Sequence, residues 1–180
     1  MSKKNPKPVL TEYISKKKIS KRVKQIAKKI NKDFKGKNPI FIGILNGSFI
    51  FLSDLIREIK IDCEVDFLKL SSYGDDKITS GQVTMLKELN CEIENRDIII
   101  VEDIVDTGLS VKFIKNLVEA KKPASVKFVS LLYKKNMSVL DFKIDYIGFK
   151  IKNEFVIGYG LDFAQKYRNL KDICVLSNSN

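Results

Sequence analysis

Val101-Glu102-Asp103-Ile104-Val105-Asp106-Thr107-Gly108-Leu109-Ser110 is the stretch on which the reading of this 180-residue chain turns. It follows Ile98-Ile99-Ile100, and the run from Ile98 to Val101 is continuously apolar, as in a central parallel strand covered on both faces. After it, Val111, Ile114, Leu117 and Val118 recur at helical spacing. A buried strand therefore ends here and a helix begins, and in open α/β sheets ligands bind at the carboxyl ends of the strands. Thr107 to Ser110 offer backbone N–H groups, two hydroxyls and the positive end of a helix, which together make a receptor for a phosphate. The helix end alone supplies only about 0.3–1 kcal/mol at an exposed site, so the donors must provide most of the grip. Glu102 and Asp103 are neighbours on an extended chain and point opposite ways. Carboxylates of this kind suit ribose hydroxyls and a hard divalent cation such as Mg²⁺. In an isolated Asp-Thr-Gly, Asp106 and Thr107 would merely cap the helix. Two acids, a third acid and Thr-Gly-x-Ser after four β-branched residues is a more specific pattern, and it points to function. There is no G-x-x-x-x-G-K-[ST] and no G-x-G-x-x-G, so neither a P-loop nor a dinucleotide fingerprint is indicated.

Working outward, Ile19, Val23, Ile26, Ala27 and Ile30 repeat with helical spacing and lysines opposite, until Gly36 and Asn38-Pro39 stop the helix. Ile40 to Leu45 reads as a buried strand, Asn46-Gly47-Ser48 as a turn, and Phe49, Leu52, Leu55 and Ile56 as a helix. Further strands are expected at Cys63–Leu70, Val83–Leu89, Val126–Tyr133, Asp145–Phe149 and Asp172–Leu176, with an exposed loop from Ser71 to Gly81. Strand–helix–strand alternation implies an α/β fold: a parallel sheet with right-handed crossovers, flanked by helices. No repeat, low-complexity tract or linker divides the chain, so residues 1–180 are read as one domain with a flexible tail at 1–10.

The net charge of +11 resembles a nucleic-acid signal, but residues 1–37 carry 14 Lys and Arg against Glu12 and Asp33, and the rest of the chain is close to neutral. Lysine far outnumbers arginine, which suits a solvated, lysine-decorated helix better than bidentate phosphate recognition. A basic arm for RNA or DNA is the sharper alternative, and nucleic acid is not the expected partner. No apolar run approaches the ~18 residues needed to cross a bilayer, and no secretory signal follows the basic start. Cys63, Cys91 and Cys174 are odd in number and far apart, and histidine is absent, so a zinc set, a disulfide framework and His-based triads are all disfavoured. Acid–base work falls to carboxylates, Lys, Tyr or Cys, and a reducing, cytoplasmic compartment is expected.

The segment 101–110 resembles the phosphoribosyl-pyrophosphate (PRPP) motif of type I phosphoribosyltransferases, and most of all their hypoxanthine-guanine branch. Further matches, in family order, are Gly43-Ile44-Leu45-Asn46-Gly47-Ser48-Phe49, Ser71-Ser72-Tyr73-Gly74, Ser130-Leu131-Leu132-Tyr133-Lys134-Lys135 and Phe155-Val156-Ile157-Gly158-Tyr159-Gly160-Leu161-Asp162, with Arg168 beyond. The resemblance runs from about Pro39 to Leu176. It implies the family's fold, with a small hood and a mobile lid over residues 72–84 that begins at Ser72 and Tyr73. The implied reaction moves 5-phosphoribosyl from PRPP to a 6-oxopurine, giving IMP or GMP and pyrophosphate, with Mg²⁺ as cofactor.

By the same resemblance, Asp106, Thr107, Gly108, Leu109 and Ser110 cradle the 5′-phosphate, while Glu102 and Asp103 hold the ribose hydroxyls and metal. Asp106 faces the purine N7 as general acid/base. Asn46 and Gly47, in a loop expected to hold a non-proline cis peptide, bind pyrophosphate together with Arg168. Lys134 donates to the purine O6, Phe155 stacks on the ring, Val156 reads the base through its backbone, and Asp162 helps hold a second Mg²⁺. A homodimer or homotetramer is implied. Three positions depart from the family pattern: Asn46 stands where many relatives carry Lys or Arg, Leu109 where some place a polar residue, and Ser138 where some have another basic one. A nucleotide-sensing, RNA-binding regulator on the same fold is the alternative, and a pyrimidine or adenine transferase suits Lys134 and Phe155-Val156 less well.

Overall fold

The computed structural model describes residues 9–72, 83–135, 137–138 and 140–177. Among them, six strands form the main sheet: β2 (Ile40–Leu45), β3 (Glu64–Ser72), β4 (Val83–Lys87), β5 (Asp97–Val105), β6 (Ser125–Tyr133) and β7 (Tyr146–Lys150). Their order is β4-β3-β2-β5-β6-β7, all parallel except β4, which pairs antiparallel with β3. The chain moves outward from β2 to β3, then returns to lay β5 on the other side of β2. The direction of winding thus reverses between β2 and β5, and such a switch point opens a crevice at the carboxyl edge.

Alternation along the strands feeds two apolar layers. Ile40, Ile42, Ile98 and Ile100 pack with Val111, Ile114 and Val118 of α3 (Leu109–Glu119). Phe41, Ile99 and Val101 pack on the other face with α1 (Lys16–Asp33) and α2 (Phe49–Glu58). The helix expected from Ile19 begins at Lys16, because the Ser15 side chain accepts from Lys18 N–H and Lys16 N–H donates to Asp172 Oδ1 at 2.6 Å. It buries Ile19, Val23, Ile26, Ala27 and Ile30, which leaves its lysines on the solvent side.

One expectation is corrected and two are extended. The tail read as residues 1–10 overlaps β1 (Val9–Ile14), which pairs antiparallel with β9 (Ile173–Ser177). The segment read as a further strand at 172–176 is this β9; it joins β1 and the two-residue β8 (Val156–Ile157) in a separate antiparallel sheet beside the parallel one. β5 also outlasts its apolar run: register with β6 continues through Glu102↔Ser130 to Val105↔Tyr133, so Glu102 and Asp103 lie within the strand and only Asp106 lies in the turn. Tyr73 and residues 73–82 of the expected lid lie outside the described residues.

Candidate active site

Two adjoining cavities open at the switch point, of about 250 and 270 Å³, and both are lined by Asp103, Ile104 and Asp106. The first is completed by Glu102, Thr107, Gly108 and Ser110 over an apolar floor that includes Ile44, Leu70 and Val111. Here the chain turns from β5 into α3 through Gly108, at φ +86°; a Cβ there would meet Leu140 Cδ2 at 2.7 Å and Ser138 Oγ at 3.1 Å. Gly108 takes the capping position; Thr107 Oγ1 accepts a long bond from Leu109 N–H at 3.5 Å, whereas Asp106 turns to Lys134 and does not cap the helix. The next N–H groups of the first turn, those of Ser110 and Val111, have no side-chain acceptor among the described residues. Leu109 is half exposed and does not line either cavity.

Glu102 and Asp103 behave differently, as opposite directions on a strand require. Glu102 is buried and lines only the first cavity; burial, and then the neighbouring Asp103 charge, push its carboxyl well above the ordinary range. Asp103 lines both. Burial raises it to about 6, against the Ile104 N–H that donates to its Oδ1 at 2.9 Å and the nearby Arg168.

The second cavity gathers Asn46, Gly47, Lys134, Phe155, Val156, Asp162 and Arg168 around Asp103 and Asp106. Asn46 and Gly47 follow β2, and the Leu45–Asn46 peptide is cis, as the resemblance implied. Gly47 is required by close approach: a Cβ there would fall 1.6 Å from Asp103 Oδ2. Lys134 is only 7% exposed, which sets it apart from its exposed neighbour Lys135, and its Nζ donates to Asp106 Oδ2 at 2.8 Å. Phe155 is 54% exposed and touches Phe163 edge-on, with ring centroids 5.8 Å apart, so it is not a core aromatic. Arg168 and Asp162 pair with each other at 2.7 Å, and Arg168 Nη1 also donates to Gly160 O.

Sequence reasoning did not single out Glu154 or Leu161, which line the second cavity, nor Phe163 and Asn153 beside it. Adjacency to Phe155 and Asp162 was the only available signal for the first three. Ser72 closes β3, and Ser138 Oγ is buried beneath Gly108 with no hydrogen-bond partner among the described residues.

A mostly parallel sheet whose winding reverses at two adjoining cavities, with acids at their boundary, is an α/β architecture that binds its ligand at the strand ends. Residues 10–164 match the phosphoribosyl transferase domain family, and the chain belongs to it. Within that family its likeness is to the hypoxanthine-guanine branch. It is 41% identical over 163 residues to the hypoxanthine-guanine phosphoribosyltransferase of Bacillus subtilis, covering 91% of each chain. A solved hypoxanthine-guanine phosphoribosyltransferase from Bacillus anthracis, with HEPES in its active site, superposes with a TM-score of 0.88 at 42% identity, over 92% of this chain and 97% of that one. The bifunctional protein TilS/HprT of Listeria monocytogenes is 37% identical over 163 residues, and there the chain spans about a quarter (25%) of the relative's length. The alternative of an RNA-binding regulator gains no support from these relatives, and no helix among the described residues is long and apolar enough to cross a membrane.

Proposed function

We propose that this protein is a Mg²⁺-dependent hypoxanthine-guanine phosphoribosyltransferase of purine salvage, and the observation that carries the proposal is the pair of cavities sharing Asp103 and Asp106. In the reaction, the bond from ribose C1′ to the pyrophosphate oxygen breaks, a bond from C1′ to purine N9 forms, and the purine loses a proton. The first cavity takes the 5′-phosphate against the backbone of Asp106 to Ser110, with Glu102 and Asp103 on the ribose side. The second takes the base, with Phe155 on its ring, Val156 beside it and Lys134 on O6. Asn46, Gly47 and Arg168 hold the pyrophosphate, at the cavity wall nearest Asp103.

Asp106 sits where the two cavities meet, so it exchanges a proton with N7 as charge moves from base to leaving group. Positive charge that builds on the sugar at C1′ is met by the carboxylates around the boundary.

The donor set fits Mg²⁺. Asp103 and Asp162 offer hard carboxylate oxygens on one cavity, and no cluster of three His, Cys, Asp or Glu side chains occurs among the described residues. Mg²⁺ is usually held in this way, by one or two carboxylates plus substrate phosphate oxygens. When bound, the ion offsets charge on the departing pyrophosphate. By the family resemblance, a homodimer or homotetramer in the cytoplasm is the proposed working form.

The test is chromatographic detection of IMP from hypoxanthine, PRPP and Mg²⁺, with guanine, xanthine and adenine as competing bases. IMP formation abolished by EDTA is expected, with adenine a poor substrate. No IMP or GMP at micromolar enzyme overturns the proposal.

A further inference from the structure

Asp106, Lys134 and Asn153 stand in a row for a topological reason. β5, β6 and β7 are adjacent and parallel, and each of the three residues lies just past the carboxyl end of one of them. Backbone bonds tie the row together: Lys134 N–H donates to Val105 O at 3.0 Å, and Ile151 N–H donates to Tyr133 O at 3.0 Å. A tight turn follows, in which Glu154 N–H donates to Lys152 O at 2.8 Å, and it presents Asn153 back toward the sheet. Lys134, in the middle, is held from both sides: by Asp106 Oδ2 at 2.8 Å and by Asn153 Oδ1 at 3.4 Å.

A buried ammonium needs acceptors, and it has three N–H bonds to place. In the free protein Asp106 takes one of them. When Asp106 turns to the purine N7, Lys134 loses its charged partner while it must still face O6, and Asn153 is then the protein acceptor that remains. We propose that Asn153 is a positioning residue for the base cavity, holding the Lys134 ammonium on O6 once Asp106 is engaged with the purine. The inference rests on the proposed function, since it assumes a 6-oxopurine between Lys134 and Asp106. It also gives Asn153 a direction of effect. Without it Lys134 has Asp106 as its only side-chain partner among the described residues and competes with the base for it, so base affinity falls while the groups proposed to hold PRPP, none of which Asn153 touches, are unchanged.

The experiment compares wild type, Asn153→Leu, which keeps the shape without the acceptor, and Asn153→Asp, which keeps an acceptor. Two readouts are used: steady-state IMP formation, and calorimetric binding of IMP to the full chain. The expected result for Asn153→Leu is a hypoxanthine KM raised about 5–10-fold, the effect of losing a weak bond to a charged group. Its IMP affinity falls by a similar factor, its PRPP KM stays within twofold, and Asn153→Asp restores the hypoxanthine KM. An Asn153→Leu protein that matches wild type in both readouts overturns the inference and leaves the function standing. So does one in which PRPP KM and hypoxanthine KM rise together, which would mark a merely structural residue. A wild-type protein that neither makes nor binds IMP overturns both.

Discussion

Gly47→Ala tests the geometry of the switch point most directly. The added Cβ would lie 1.6 Å from Asp103 Oδ2 and 2.4 Å from its Cγ, where ordinary contact begins near 3.4 Å. The loop has no room to retreat, because Gly47 O is itself pressed against Gly160: a Cβ built on Gly160 would sit 2.2 Å from that oxygen. Relief must therefore come from Asp103, which has to swing away and give up the bond from Ile104 N–H. Stability should change little. A bond to a charged group is worth about 1.5–3 kcal/mol, but Asp103 also escapes the burial that raises its pKa to about 6. A net loss of at most about 2 kcal/mol corresponds to a Tm drop of about 4–8 °C for a chain of this size. Activity should suffer far more. Removing one preorganised charged group from a reacting centre costs about 10²–10³ in rate, and kcat/KM for PRPP should fall by that factor.

The assay is IMP formation under PRPP-limiting conditions, with Asp103→Ala and the double variant alongside. If the alanine acts through Asp103, the two lesions are not additive, and Gly47→Ala costs less than threefold in the Asp103→Ala background. A Gly47→Ala enzyme within threefold of wild type refutes the reasoning. So does a double variant in which the two losses simply multiply.

Two further predictions concern chemistry and stability. Asp106→Asn should lower kcat about 10²–10⁴-fold while PRPP affinity, measured calorimetrically, stays close to wild type; near-normal turnover removes Asp106 from the acid–base role. Asp66 is buried in β3, and its carboxylate accepts from Phe67 N–H, Asn90 N–H, Cys91 N–H and Lys87 Nζ. Burial pushes its pKa up, but the backbone N–H groups outweigh that and hold it well below the usual carboxylate range. A depressed carboxyl stabilises fully above its unfolded pKa of about 4, and the benefit drains away as pH falls toward the folded value. Asp66→Ala should cost about 3 kcal/mol at pH 7, by leaving Asn90 and Cys91 N–H groups unpaired, and its denaturation midpoint should be less pH-dependent than wild type between pH 5 and about 2. Equal acid sensitivity of the two proteins in urea melts would contradict this.

The parallel sheet was legible because its strands are covered on both faces. Ile40–Leu45 and Ile98–Val101 are apolar without interruption, and only a two-sided core demands that. β1 was not legible, since Val9, Leu10, Thr11 and Glu12 are exposed and carry no period. Nor could the sequence say that 173–177 pairs with 9–14 across more than 150 residues. In the candidate site, the residues that follow strands directly could be placed by topology: Asn46, Asp106 and Lys134. Asp162, Phe163 and Arg168 could not, because the chain between Gly158 and Arg168 passes through left-handed backbone at Tyr159, Ala164, Gln165 and Tyr167. Gly158 and Gly160 mark the start of this path, but the later left-handed residues are not glycines, so the turns that bring Arg168 onto Asp162 carry no local signal of their own.

The division of the site between the strands follows from the same topology. β2 and β5, whose ends flank the reversal, carry Gly47, Asp103 and the turn into α3. β6 delivers Lys134 on the far side of Asp106, and the small antiparallel sheet delivers Phe155 and Val156 against it. Under the proposed function an activated sugar and an incoming base are held by different structural units, whose cavities share Asp103, Ile104 and Asp106. Under the proposed function a proton handler serving both partners stands at that boundary, where Asp106 is paired with Lys134 and Asp103 lies near Arg168. Asp106 Oδ2 accepts from Lys134 Nζ in the free protein, so under the proposed function the side chain that meets O6 is also the one that must release the acid for N7. On that reading recognition and chemistry are coupled through the Asp106–Lys134 ion pair, which forms because β5 and β6 are parallel neighbours ending at the same level.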